Sequence, residues 1–161
     1  MIRLAVVLSH PIQYYSPWFR QLAQQPGLLL QVFYLWDFGV SPQRDRGFGM
    51  ELQWDVPLLE GYDHTFVANR SSDPGTHHFA GLHNPSLVGE LLRWRPDALL
   101  LFGYAYRSHL RLLLDPRLWQ LPLLLRGDSH QLVPRSGPKP LLAQLLRRLL
   151  FRRFAAGLPV G

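Results

Sequence analysis

The chain has 161 residues, one domain's worth and enough to enclose a substantial core. Charged residues make up only 17% against 47% hydrophobic, so little solvated surface is spare. The absence of cysteine excludes disulfides, thiol catalysis and thiolate metal sites. The net charge of +6 is carried almost wholly by arginine, Lys139 being the only lysine. These arginines are scattered, so compositional bias explains them as well as an anionic partner does.

Residues 2–9 form a short, nearly continuous apolar run, the pattern of a strand buried on both faces of a parallel sheet. The run is too short for a signal peptide, and nothing approaches the ~20 apolar residues that span a bilayer, so cytoplasmic residence is expected. After Pro11, Ser16 as N-cap and Pro17 as first helical residue predict a helix over 17–25, stopped by Pro26-Gly27. A second buried strand follows over 28–35, completing a βαβ unit with a right-handed crossover. Residues 36–63 break the rhythm. This insert is rich in Gly, Pro and aromatics and lacks periodicity, while Trp36, Phe38, Phe48, Trp54 and Tyr62 argue against disorder. A short strand at 64–68 and a polar loop at 69–84 lead to a helix at 85–93 and a strand at 97–102. A helix at 108–119, breaking near Asp115-Pro116, precedes a strand at 122–126. A long helix at 139–156 and the opening of a strand at 158–161 close the chain. The alternation specifies a doubly wound, Rossmann-like parallel sheet in a single α/β lobe.

In such a sheet ligands bind beyond the carboxyl ends of the strands. The informative residues are Ser9, His10, Gln13, Tyr14 and Tyr15 after the first strand, and Gly103, Tyr104 and Tyr106 after the 97–102 strand. Arg126, Asp128, Ser129 and His130 follow or end the 122–126 strand. His10 and Asp128 are the catalytic candidates, His10 as general base or phosphate donor. Gln13, Tyr14, Gly103, Tyr104, Arg126 and Ser129 are the substrate-binding candidates. Arg126 and Asp128 serve equally well as a mutual structural latch, and Tyr104 and Tyr106 as packing residues with a polar tip. Gly47-Phe48-Gly49 lies in the insert rather than between strand and helix, so no dinucleotide fingerprint or P-loop is present. No D-x-D occurs. His77, His78 and His83 are near neighbours, but their spacing specifies no geometry; no metal and no bound cofactor are expected. In the last helix Gln144, Arg147, Arg148 and Arg152 share one side, fitting a solvated face or a membrane-surface contact.

The segment Ser9-His10-Pro11-Ile12-Gln13-Tyr14-Tyr15-Ser16-Pro17 resembles the start of group 1, family 4-like glycosyltransferases, especially bacterial members opening with a strand and SHPIQY. The likeness continues through Asp45-Arg46-Gly47-Phe48-Gly49 and Trp54-Asp55-Val56-Pro57-Leu58-Leu59-Glu60-Gly61-Tyr62. Gly81-Leu82, Arg95-Pro96-Asp97, Gly103-Tyr104 and Leu125-Arg126-Gly127-Asp128-Ser129 complete it, in order over essentially the whole chain. The resemblance implies a GT-B architecture, with the acceptor on this N-terminal lobe and the nucleotide-sugar donor mainly on a C-terminal lobe that this chain stops before. It implies retaining, metal-independent transfer to a glycan or glycolipid, and poor activity for a lone lobe. Better-known relatives carry a catalytic-site histidine after the fourth strand; here that place reads Gly103-Tyr104, and the role is not carried over.

Two readings follow. The first is the acceptor-binding half of a glycosyltransferase, with a second lobe in cis and peripheral contact at the inner membrane face as its partners. The second is a stand-alone binding or scaffold module docking a protein or an anionic membrane. No nucleic-acid-binding module is recognisable.

Overall fold

The computed structural model describes residues 1–40, 57–127 and 148–159, and the backbone of 43–44 and 51–52. Its strands are β1 (Ile2–Leu8), β2 (Leu28–Tyr34), β3 (Gln43–Arg44), β4 (Glu51–Leu52), β5 (His64–Phe66), β6 (Ala98–Phe102), β7 (Leu123–Gly127) and β8 (Ala156–Pro159). Six of them form one sheet in the order β5-β2-β1-β6-β7-β8, every pair parallel. Counting only these six along the chain, the order is 3-2-1-4-5-6, that of the Rossmann-like doubly wound sheet.

The helices are α1 (Ser16–Ala23), α2 (Leu87–Trp94) and α3 (Arg107–Leu114). They cover both faces of the sheet, which is why the strands read as unbroken apolar runs. Val6, Leu8, Leu30, Val32, Tyr34, Leu100 and Phe102 pack with Tyr15 and Phe19 on the α1 side. Ala5, Val7, Phe33, Leu99, Leu101 and Leu123 pack with Leu87, Leu91, Leu112 and Leu113 of α2 and α3 on the other. Side chains alternate along each strand, so one apolar run supplies both cores. Each fully buried leucine contributes on the order of 2 kcal/mol through lost water contact.

The elements follow their local chemistry. The Pro26-Gly27 turn, with Gly27 at φ +81, ends α1 and starts β2. Asp115 stays extended before Pro116, ending α3, and its carboxylate accepts from the Arg117 N–H at 3.1 Å to cap a 3-10 turn at Pro116–Leu118. The predicted break in that helix is therefore real.

Several expectations need correction. Ser16 is not the N-cap: Tyr15 holds that place without a side-chain cap, and the buried Ser16 hydroxyl instead donates to the Leu58 carbonyl at 2.7 Å. The insert is not structureless, since β3 and β4 form a two-residue antiparallel ladder, Gln43 opposite Leu52 and Arg44 opposite Glu51. The predicted last helix does not reach 156. Backbone at 148–151 is helical, the chain turns at 152–153, and Ala156 already opens β8. The rest of that prediction, Gln144 and Arg147 included, lies outside the described residues.

Candidate functional site

Adjacent strands β1 and β6 send their connections in opposite directions, β1 toward β2 and β6 toward β7. In wound sheets such a reversal marks the place beyond the carboxyl ends where ligands bind. The register carries Val7 beside Leu101 and Phe102 beside Arg126, so Ser9-His10, Gly103-Tyr104 and Arg126-Gly127 all leave the sheet along this one edge.

His10 is half-buried, its Nδ1 3.0 Å from the Ser9 hydroxyl. Its ring meets Trp36 and Phe38 edge-on, at 5.9 and 5.6 Å between centroids. Those two rings stack on each other at 4.6 Å, so the segment just after β2 supplies an aromatic wall to the tip of β1. The serine contact fixes the imidazole's orientation, which a group moving a proton at a set position requires.

Arg126 rises from β7 on the α1 side. Its guanidinium carbon stands 5.6 Å from the Tyr15 ring centre and 5.3 Å from that of Trp18. Such cation–π contacts are worth about 0.5–2 kcal/mol depending on solvation. Tyr15 is itself wedged edge-on against Phe102 at 4.8 Å, so the aromatic bed is part of the core. Among the described residues the buried Arg126 Nε–H has no hydrogen-bond partner. Leaving such a donor unmet costs about 1–3 kcal/mol, and an incoming acceptor recovers it.

The remaining candidates spread along the same edge. Tyr14 is 63% exposed and lies edge-on to Tyr15 at 4.5 Å, while Gln13 is exposed in the turn before α1. Tyr104 is half-buried and faces the Phe151 ring at 5.2 Å, a packing contact. Gly103 serves through its backbone: it holds φ +76 and donates its N–H to the Arg126 carbonyl at 2.9 Å. Asp128 and Ser129, with His130, lie outside the described residues. The structure thus yields three groupings on one rim: His10 with Trp36 and Phe38, Arg126 with Tyr15 and Trp18, and Tyr104 with Phe151.

Other motif residues prove structural. The Leu58 carbonyl accepts from both Ser16 and Tyr62, and the Tyr62 hydroxyl lies 2.7 Å from that of Tyr34. Burial, then the Tyr62 hydrogen bond, raises the Tyr34 phenol far above its ordinary pKa. Arg20 donates to the Glu60 and Pro57 carbonyls, closing the end of the insert onto α1. At the opposite edge, the Asp97 carboxylate accepts from the Arg3 N–H at 2.8 Å, and Arg3 caps the carbonyls that end α2.

A polar hub escaped sequence reasoning. Buried Asn84 donates to the Leu35 and Val67 carbonyls, tying the ends of β2 and β5 together. Its own N–H donates to the Ser108 hydroxyl at 2.7 Å, which binds α3 to the same point. The only local sign was an Asn before Pro85, which reads equally as a turn.

The three neighbouring histidines do not stay together. His77 and His78 both turn toward Asp73, a residue the sequence gave no reason to choose. His83 sits 3.5 Å from Arg111, and desolvation, then Arg107 and Arg111, lower its pKa.

No protein-family model matches the chain, and no curated protein does so significantly. Among the described residues, no helix is long and apolar enough to cross a membrane.

Proposed function

We propose that this chain is the acceptor-binding half of a glycosyltransferase, taking a polar, many-hydroxyl glycan or glycolipid headgroup at the carboxyl edge of its sheet. The reading rests on the ordered motif resemblance from Ser9 to Ser129. The structural observation that favours it most is Arg126, whose Nε–H, without a partner among the described residues, is buried beside the Tyr15 and Trp18 rings. Sugar hydroxyls and carboxylates satisfy guanidinium donors, and aromatic faces suit pyranose C–H surfaces. In this reading Tyr14 and Gln13 add exposed contacts, and His10 is the proton acceptor for the attacking hydroxyl. Gly103, Tyr104, Asp128 and Ser129 complete the proposed site. The donor nucleotide sugar is assigned to a second lobe, because the transferred group needs its diphosphate held from the opposite wall.

Saturation-transfer NMR with neutral and uronic-acid oligosaccharides tests the acceptor site. Arg126→Ala is expected to weaken binding about tenfold, the scale of one lost charge-assisted hydrogen bond. Absence of saturation transfer from every oligosaccharide, by a chain whose circular dichroism is native, removes the proposal.

The scaffold reading retains one favourable observation. Leu149 and Phe151 are 49% and 42% exposed beside exposed Arg148 and Arg152. Salt-sensitive sedimentation with anionic liposomes, lost on replacing those arginines together with Arg147, supports that reading instead.

A further inference from the structure

The loop between β5 and α2 folds back on itself at two glycines. A Cβ on Gly81 would fall 2.0 Å from the Gly75 carbonyl oxygen, and one on Gly75 would fall 2.5 Å from Nδ1 of His77. Only glycine lets the chain close this tightly and the His77 ring lie over the turn. The loop is braced from several sides. Asn69 accepts from the Ser71 and His83 N–H groups and donates to the Gly81 carbonyl, and the Tyr106 hydroxyl donates to the Thr76 carbonyl at 3.1 Å.

That closure sets one carboxylate under two imidazoles. Nε2 of His77 lies 3.2 Å from the Asp73 Oδ2. Nε2 of His78 lies 3.4 Å from the same atom and 3.0 Å from the Asp73 backbone carbonyl, a hydrogen bond that an ion would displace. A zinc-class ion with ligand bonds of about 2.0–2.1 Å arranged tetrahedrally holds its donors about 3.3–3.4 Å apart. The histidine–aspartate separations of 3.2 and 3.4 Å lie close to that length, and the three donor atoms all lie within 4.8 Å of one another. The rings are 49% and 36% exposed, so an ion reaches them from solvent.

We propose that Asp73, His77 and His78 form a binding site for a divalent ion of the zinc class, stapling this loop where it meets the start of α3. Imidazole and carboxylate donors suit Zn²⁺ well, and Co²⁺ with the same geometry. Three protein ligands leave the remaining position to water. The site is independent of the glycosyltransferase reading.

The test is isothermal titration of ZnCl₂ into the tag-free chain, followed by Co²⁺ spectra. One equivalent of Zn²⁺ is expected to bind, and Co²⁺ is expected to give the intense visible bands of a four-coordinate site. The His77→Ala/His78→Ala double variant is expected to bind Zn²⁺ at least about a hundredfold more weakly, and Asp73→Asn about tenfold, as loss of donors from a small site requires. These side chains are partly exposed, and unchanged melting temperatures without metal show that the variants remain folded. Hydrogen exchange across residues 73–81 is expected to slow on adding Zn²⁺ to the parent chain only. Lack of stoichiometric Zn²⁺ binding, or binding and exchange that persist unchanged in the double variant, overturns the proposal. In the latter case the ion lies on other histidines, and the Asp73 contacts are ordinary exposed ion pairs.

Discussion

His109 is the residue whose chemistry is most at odds with its surroundings. It sits in α3 at 0% exposure, neither ring nitrogen has a hydrogen-bond partner among the described residues, and burial lowers its pKa to about 4. The folded state therefore refuses a proton that the unfolded chain accepts near pH 6.5. Stability is fully present above that value and declines as pH falls toward 4, by roughly 3 kcal/mol in total. His109→Leu, close in volume, removes both the orphaned nitrogens and this titration. The variant is expected to match or exceed the parent at pH 7 and to lose far less between pH 7 and pH 5, measured as urea midpoints. Equal losses by both proteins over that interval show that His109 is not the group responsible. Nothing in the sequence marked this histidine: it reads as one polar position among the leucines of a helix, and only the packing of α3 on the sheet buries it. Asp73 was hidden for the same reason, because its tie to His77 and His78 depends on a loop closure that two glycines permit. Arg126 was legible, since the end of a strand in a wound sheet is a place where function concentrates. Its bed of Tyr15 and Trp18 was not, because side chains from two elements meet there.

Among the elements, the strands were the most legible and the insert the least. Strand residues announce themselves when both faces are buried, and β1, β2, β6 and β7 fall within a residue or two of their expected bounds. Helix α1 was placed correctly, but the role of Ser16 was not. A serine before a proline signals a cap by local rules, whereas here the more favourable partner is a carbonyl 42 residues away. That partner belongs to the segment 57–62, whose apolar and tyrosine content looked like loop chemistry and is a clasp. Tyr62→Phe deletes the hydrogen bond to the Leu58 carbonyl and leaves the buried Tyr34 hydroxyl without its partner. A loss of about 1–3 kcal/mol in unfolding free energy is expected. Thermal denaturation checks this, and proteolysis within the insert is expected to accelerate as the clasp loosens. A melt and a cleavage rate identical to the parent's show that the clasp contributes nothing to stability.

At the scale of the molecule, alternation alone predicted the wound parallel sheet, and the strand order agrees with it. What alternation does not convey is how the sheet's borders are finished. One border is β5, three residues long, and the other is β8, exposed at all four positions and paired among the described residues with β7 alone. A bare flank of main-chain groups invites another strand to dock, and intermolecular docking of that kind seeds aggregates. Pro159 occupies this flank opposite Gly127. It has no N–H to offer, so any ladder growing outward from β8 halts there. The proline is thus a guard on colloidal behaviour rather than on the fold. Pro159→Val is expected to leave the melting temperature within about 1 °C, the scale of a change under 0.5 kcal/mol. The same variant is expected to scatter light sooner on incubation at high concentration, and unaltered scattering would show that the flank is screened by other means.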